Sequence, residues 1–498
     1  MNILYLLFFM VLMGTSSLEC PEKNSTTTTI VTDQEYDTVI FDWSRTWSEV
    51  MQLVKQKHYK ITNPADGMSK AIDAFLNNLD AHSNFLDQKT YKNMMETTSG
   101  EFYGIGIVID NTRKPKDKFL TIVDILPDGP ADKANLQQYD KIVEANGKPL
   151  EGLTTEEIIA LLKGERGSQV TIKILREGQQ DLLSFTLTRD VVKEQTSLSF
   201  YIKNYNICYL SLTMFTDTAA KIIQQLLEKG TQHAYKGLIL DLRNNSGGLL
   251  TSVIDIASLF LEKGSLVVLT KDKHNKEIER YTTTRAPVHA HLPIFILINN
   301  FTASAAEILA GCLKIHAEQT KAGNNLVFLV GTTTFGKGSV QEVIPVSNNS
   351  AVKLTTSLYF FSDHSTIQGA GIVPDFIVER CLPPTEQMQW FVKNYGRESN
   401  LDHYIQVGEQ QNMEEKKTDQ KTEQKTEQKK DAGTRWLERA KEMLQNDNQL
   451  RAAITLANIL DTARKNSPDT IKTRQSARTY LEQNYVGAQV MEIEEIKA

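Results

Sequence analysis

The chain has 498 residues, of which 40% are hydrophobic and 23% charged, with a formal net charge of -6 at pH 7. That length exceeds one ordinary hydrophobic core, so about two to four domains are expected. The composition is that of a soluble globular protein without the basic excess of a nucleic-acid binder, so nucleic acid is not an expected partner.

Residues 1–17, MNILYLLFFMVLMGTSS, form an apolar run followed by small residues, the shape of a secretory signal without its basic n-region. The run is shorter than the roughly 20 residues a spanning helix needs, so removal is favoured over a retained anchor. Membrane association is expected only through this segment. Export is therefore expected, to the periplasm if the source is bacterial. Cys20 follows Glu19, where a lipid-modified cysteine would follow a small residue. Cys208, Cys312 and Cys381 lack metal-like spacing, and the first two lie in apolar, core-like surroundings.

Residues 18–101 form a helical N-terminal region, with apolar residues such as Val50, Leu53, Val54, Ile72, Phe75, Leu76 and Leu79 at helical spacing. From Gly104 the pattern changes. GIGIVID, FLTIVDIL, KIVEANG, QVTIKILR and LSFTLTR read as short strands. One helix interrupts them, with Thr154 as N-cap and Gly164 as stop. Residues 102–190 are read as one small domain. From about Gln195 strands and helices alternate: GLILDL and IFILIN are buried-strand runs, and LLTSVIDIASLFL and AEILAGCLK are helices, giving an α/β core over 195–380. Residues 381–434 include KTEQ repeats with nothing apolar to bury and read as a solvated linker. Residues 435–498 read as amphipathic helices.

Three loops of the α/β core each follow a buried strand: Asp241–Gly248, Phe301–Glu307 and Phe335–Gln341. In a parallel sheet such strand ends converge on one edge. Ser304 opens a helix, where its hydroxyl is exposed and the Ala305 N–H points outward, a geometry suited to a nucleophile with half an oxyanion hole. An ordinary N-cap with Glu307 completing a capping box is the alternative, and the local sequence does not separate the two. Gly247 or Gly248 can supply a second N–H, since glycine permits close backbone approach. No GxxxxGK[ST] phosphate loop surrounds either pair. A serine needs a base, and none of the nine histidines has a recognisable carboxylate partner in a strand-end loop; His364 comes nearest. Lys337, between Gly336 and Gly338, fits better, because a lysine in an apolar crevice loses solvation, its pKa falls and its neutral amine accepts the proton. Gln341 follows, where its amide oxygen can orient the amine. A solvated turn lysine is the alternative reading.

Together these segments resemble the carboxyl-terminal processing peptidases, or tail-specific proteases, across nearly the whole chain. The resemblance is carried by LDAHSNFL (Leu79–Leu86), GEFYGIGIVI, GLILDLRNNSGGLL, FTASAAEILAG, TFGKGSVQ, IQGAGIVPD (Ile367–Asp375) and NDNQLRAAI. It implies a multidomain α/β protein: a protease core of the crotonase-like or Clp-protease-like type, an inserted PDZ domain of β-sandwich or barrel-like form, and helical N- and C-terminal segments. It implies Ser304 as nucleophile, Lys337 as general base, Gln341 as orienting residue, and an oxyanion hole from Ala305 and the Gly247–Gly248 pair. Gly104, Ile105, Gly106 and Ile107 would form the peptide-binding loop of the PDZ module, with the helix Thr155–Lys163 walling the groove; a buried first strand with glycines at close contacts is the alternative. Thr302, Ala306 and Ser246 depart from the family's usual residues. The stretch between Ser304 and Lys337 is longer than usual, with an inserted polar loop around 317–325. The expected function is a serine endopeptidase acting on unfolded or tail-exposed proteins, without cofactor, possible as an oligomer. A non-catalytic ligand-binding protein on the same core and a PDZ scaffold are the alternatives.

Overall fold

The computed structural model describes residues 33–60, 63–98, 103–109, 118–126, 129–179, 181–191, 196–233, 235–288, 291–320, 326–380, 396–401, 403–405, 443–485 and 496–497. The expected signal run, Cys20, Cys381 and the KTEQ repeats lie outside these residues; within the expected solvated linker 381–434, residues 396–401 and 403–405 are described, and Glu398 there is fully buried and hydrogen-bonded to His82 and Gln368. Two compact units divide the chain, residues 1–68 and 69–498. In the first, the helix Asp33–Lys57 ends with Lys55 and Lys57 in its last turn, where cations suit the helix dipole. No described helix is long and apolar enough to cross a membrane.

The second unit is built on a seven-stranded sheet. Five of its strands run parallel in the order in which they occur in the chain: Ile207–Leu212, Gly237–Asp241, Ile294–Ile298, Val327–Gly331 and Phe376–Ile377. Ser197–Ile202 and Ile496–Lys497 extend it antiparallel at one edge. These runs lack polar alternation because both faces are covered. Leu238, Leu240, Ile294, Ile296, Val327 and Leu329 pack into a core with the helices Ala219–His233, Leu250–Ala257 and Ala305–Gln319. Their neighbours Ile239, Phe295, Leu297, Phe328 and Val330 point the other way, into a second core shared with Asn448–Asn466 and Arg474–Asn484. Cys208 and Cys312 are free and buried.

A five-stranded sheet flanks this core. It contains Leu266–Lys271, Glu277–Thr282, Ser339–Val346, the long strand Ser350–Phe360 and, at its edge, Asn84–Leu86. The last strand corrects the reading of the leader as helical throughout. Helices Pro64–Asn77 and Gln88–Thr98 are present, but between them Asn84–Leu86 pairs antiparallel with Ala351–Lys353.

The third sheet holds Ile107–Ile109, Leu120–Ile125, Lys141–Ala145, Gln169–Leu175 and Leu183–Thr188, all antiparallel. Its first and last strands do not pair, so the sheet is open and the expected barrel-like form is not reached. Tyr103–Gly104 pairs with Asp190–Val191 and ties the two ends of this module. Its helix, Thr155–Leu162, begins at a capping box. The Glu157 N–H donates to Thr154 Oγ1 at 3.2 Å, and the Thr154 N–H donates back to Glu157 Oε2 at 2.8 Å. The helix Ala305–Gln319 runs into the segment expected as a surface insertion; residues 321–325 of that segment lie outside the described residues.

Candidate active site

The parallel strands end on one edge, so the loops after Asp241, Ile298 and Gly331 meet there. Backbone bonds join them. The Ala303 N–H donates to Asn245 O at 2.9 Å and the Phe335 N–H to Thr302 O at 3.0 Å. Asn245, fully buried, holds the first of these loops: its Nδ2 donates to Leu212 O at 2.7 Å and its Oδ1 accepts the Gly247 N–H at 2.8 Å. The Thr302 hydroxyl is also used structurally, donating to Leu242 O at 2.8 Å.

Ser304 has φ 55 and ψ −120. An N-cap residue ordinarily has extended backbone, so this is not the conformation of a simple cap. A non-glycine residue held there costs on the order of 1–3 kcal/mol, which the surrounding contacts must offset. Glu307 supplies the main contact. Its fully buried carboxylate accepts the Ser304 N–H at 2.9 Å and the Lys337 N–H at 2.9 Å on Oε2, and the Gly336 N–H at 2.7 Å and Thr334 hydroxyl at 2.5 Å on Oε1. Four donors on one carboxylate suit its ionised form, which only accepts. Burial opposes them and pushes the Glu307 carboxyl up to about 7.

Gly247 lies against the serine. A Cβ there would sit 3.0 Å from Ser304 Cβ and 3.1 Å from the Ala305 nitrogen, and its φ is +112. Of the glycine pair, Gly247 is buried with its N–H already given to Asn245, whereas Gly248 is exposed and its N–H meets no acceptor among the described residues. The Ala305 N–H, at the first position of the helix, is likewise unengaged. Among the described residues, the N–H groups of Ala305 and Gly248 are thus unengaged, while that of Gly247 is not.

Lys337 is half-buried, and Nζ donates to Gln341 Oε1 at 2.8 Å and to Ser339 O at 3.4 Å. Desolvation pulls its ammonium below the ordinary lysine value, opposed chiefly by the carboxylate of Glu398. No hydrogen bond joins Lys337 Nζ to Ser304 Oγ among the described residues. His364 lies exposed on the turn after Phe361, and its N–H donates to Phe361 O at 3.0 Å.

In the open-sheet module, Gly104, Ile105, Gly106, Ile107, Ile159 and Leu162 line one pocket. The carbonyls of Ile105 and Gly106 accept the Ala131 N–H at 2.8 Å and the Leu126 N–H at 3.0 Å, while their own N–H groups meet no acceptor among the described residues. An anion at this loop would find two free donors.

Sequence reasoning met Glu307 only as a capping residue. Its spacing from Ser304 was the available signal, but its bonds to Thr334, Gly336 and Lys337 had none. Asn245 lies inside the motif GLILDLRNNSGGLL without a local signal of its role, since a buried amide looks like any other in sequence.

Two family models match the chain: Peptidase family S41 over residues 206–378, and PDZ domain over residues 93–175. The carboxy-terminal-processing protease of Bartonella bacilliformis is 33% identical over 341 residues, spanning 68% of this chain and 75% of that protein. The carboxy-terminal processing protease CtpA of Bacillus subtilis is 32% identical over 334 residues, spanning 67% and 68%. A solved photosystem II D1 C-terminal processing protease is 25% identical, covering 71% of this chain and 92% of that one with a TM-score of 0.41.

Proposed function

The chain belongs to peptidase family S41, among the PDZ-containing carboxy-terminal processing proteases, and is thus a serine peptidase; from that premise we propose that Ser304 and Lys337 are its catalytic pair. The observation that carries the assignment is the Glu307 carboxylate, which holds the backbone N–H groups of Ser304 and Lys337 on a single oxygen.

In this reading the neutral amine of Lys337 takes the Ser304 hydroxyl proton as Oγ attacks the scissile carbonyl carbon. The developing oxyanion is met by the N–H groups of Ala305 and Gly248. Lys337, now an ammonium, protonates the leaving amine as the C–N bond breaks, and an ester on Ser304 remains. Water then attacks the ester with Lys337 again as base, releasing the carboxylic acid and restoring the serine. Gln341 Oε1 accepts from Lys337 Nζ and orients it. Proton transfer needs Nζ within hydrogen-bond reach of Oγ, a contact that substrate binding has to complete.

The PDZ module docks the C-terminal tail of a protein substrate, with the Ile105 and Gly106 N–H groups receiving the terminal carboxylate and the wall of Ile159 and Leu162 the terminal apolar side chain. The finer fold we infer for the core is crotonase-like or Clp-protease-like. The apolar run at residues 1–17 supports export, to the periplasm in a bacterial source.

Cleavage of an unfolded protein with an apolar tail by the Ser304→Ala and Lys337→Ala variants is the test. Both should bind the tail and fail to cut it. Full turnover by either variant sinks the pair, and tail binding without turnover by the unaltered protein would favour a ligand-binding scaffold.

A further inference from the structure

The leader motif Leu79–Leu86 carries a buried carboxylate, Asp80, that no step above uses. Its Oδ2 accepts the Ser83 hydroxyl at 2.5 Å. Its Oδ1 accepts the N–H groups of His82 at 2.8 Å and Ser83 at 2.9 Å, and the Thr355 hydroxyl at 3.0 Å. The pairing of Asn84–Leu86 with Ala351–Lys353 brings the motif to Thr355, whose own N–H donates to Ser83 Oγ at 3.0 Å. On its other side Thr355 is the cross-strand partner of Gln341.

A hydroxyl has one proton. With that proton given to Asp80, Thr355 Oγ1 presents only lone pairs to Gln341. The amide answers with its nitrogen: Gln341 Nε2 donates to Thr355 Oγ1 at 3.2 Å and to Ser339 Oγ at 2.9 Å. Its oxygen is thereby turned toward Lys337 Nζ, at 2.8 Å. We propose that Asp80, acting through Thr355, is a positioning residue that locks the Gln341 amide with its oxygen facing Lys337. A flipped amide would aim an N–H at the lysine. It would occupy the lone pair that receives the Ser304 proton and remove an acceptor from the ammonium. Neither Asp80 nor Thr355 touches the reacting atoms; both act on the direction of one amide. The inference rests on the reading of Lys337 as general base.

The test is the pH dependence of kcat and KM for one unfolded substrate, measured on the full chain. Thr355→Val removes the hydroxyl at nearly constant shape, and Asp80→Ala removes the acceptor that takes its proton. Each should lower kcat about tenfold with KM little changed, the size of a coupling between neighbours in one network. Each should also move the acid limb of the profile to lower pH, because the ammonium loses an acceptor. Thr355→Ser, which keeps the hydroxyl, should restore the original profile, and Thr355→Val should cost nothing further in a Gln341→Leu background. A folded Thr355→Val variant with unchanged kcat and limb overturns the proposal. So does a lower kcat with an unmoved limb, since a merely structural role predicts that result. An inactive Lys337→Ala together with an unaffected Thr355→Val overturns the relay alone, whereas an active Lys337→Ala overturns the catalytic reading on which it rests.

Discussion

At the scale of single residues, Glu307 and Gly247 hold the backbone of Ser304, the proposed nucleophile. Glu307→Gln replaces an all-acceptor carboxylate with an amide whose nitrogen must face a donor, leaving at least one buried N–H unpaired. At about 1–3 kcal/mol for such a group, activity should fall roughly ten- to a hundredfold and the melting temperature should drop. The pH dependence has a definite sign. Burial raises the folded-state value of Glu307 from the ordinary 4.5 to about 7, so its contribution to stability is full below the lower value and is lost as pH rises through the upper one. Denaturant midpoints at pH 5 and pH 8 should differ less in Glu307→Gln than in the unaltered protein. Lys337, as the proposed base, works in the opposite sense: only its neutral form accepts a proton, so kcat/KM should rise with pH along a limb below the ordinary lysine range. Gly247→Ala should cost about 10²–10³ in kcat, because its Cβ would press on the Ser304 Cβ and Ala305 nitrogen, the proposed nucleophile and oxyanion donor. Ser304, Lys337 and Gln341, the proposed catalytic residues, were legible in sequence only as candidate residue types in strand-end loops. That the Gly247 N–H is engaged while that of Gly248 is not, among the described residues, was illegible, because it depends on where the Asn245 side chain lies.

At the scale of elements, local pattern served best where one element makes its own ends. The helix Thr155–Leu162 was readable from Thr154, and its capping box forms as the spacing requires. The strand Asn84–Leu86 was not readable: three residues carry too little periodicity, and they become a strand only because Ser350–Phe360 offers an edge. The PDZ groove is an element-scale device, one helix facing one loop. Ile159 is half-buried on its wall while its neighbour Ile158 is fully buried in the module's core. Ile159→Asp should therefore raise KM about tenfold or more for substrates with an apolar tail and leave kcat for a short tail-less peptide unchanged. Equal losses on both substrates would assign the helix to stability instead.

At the scale of the second unit, the C-terminal helices complete the core. Arg474 donates to Val327 O at 2.8 Å and to Asp375 Oδ2 at 2.7 Å, and Arg243 pairs with Asp447 at 2.6 Å. These contacts fasten the helices over Phe295, Phe328 and Tyr209 on the sheet face opposite the helix that opens at Ser304. Deleting residues 443–498 uncovers that face, so the shortened protein should aggregate or lose cooperative thermal unfolding rather than persist as a less active enzyme. Sequence by itself determined the family, through it the class of chemistry, and the order of the PDZ and peptidase segments. A serine at a helix start, a lysine between glycines and paired glycines after buried strands are local patterns, and apolar runs without alternation already require a sheet covered on both faces. Only the tertiary structure decided which groups meet. Parallel register brought the three loops to one edge, the buried carboxylate of Glu307 joined two of them, and an edge strand carried Asp80 to Thr355 behind Gln341. The physical reason is the same in each case: a hydrogen bond between residues remote in the chain depends on packing and backbone direction, for which local periodicity carries no signal.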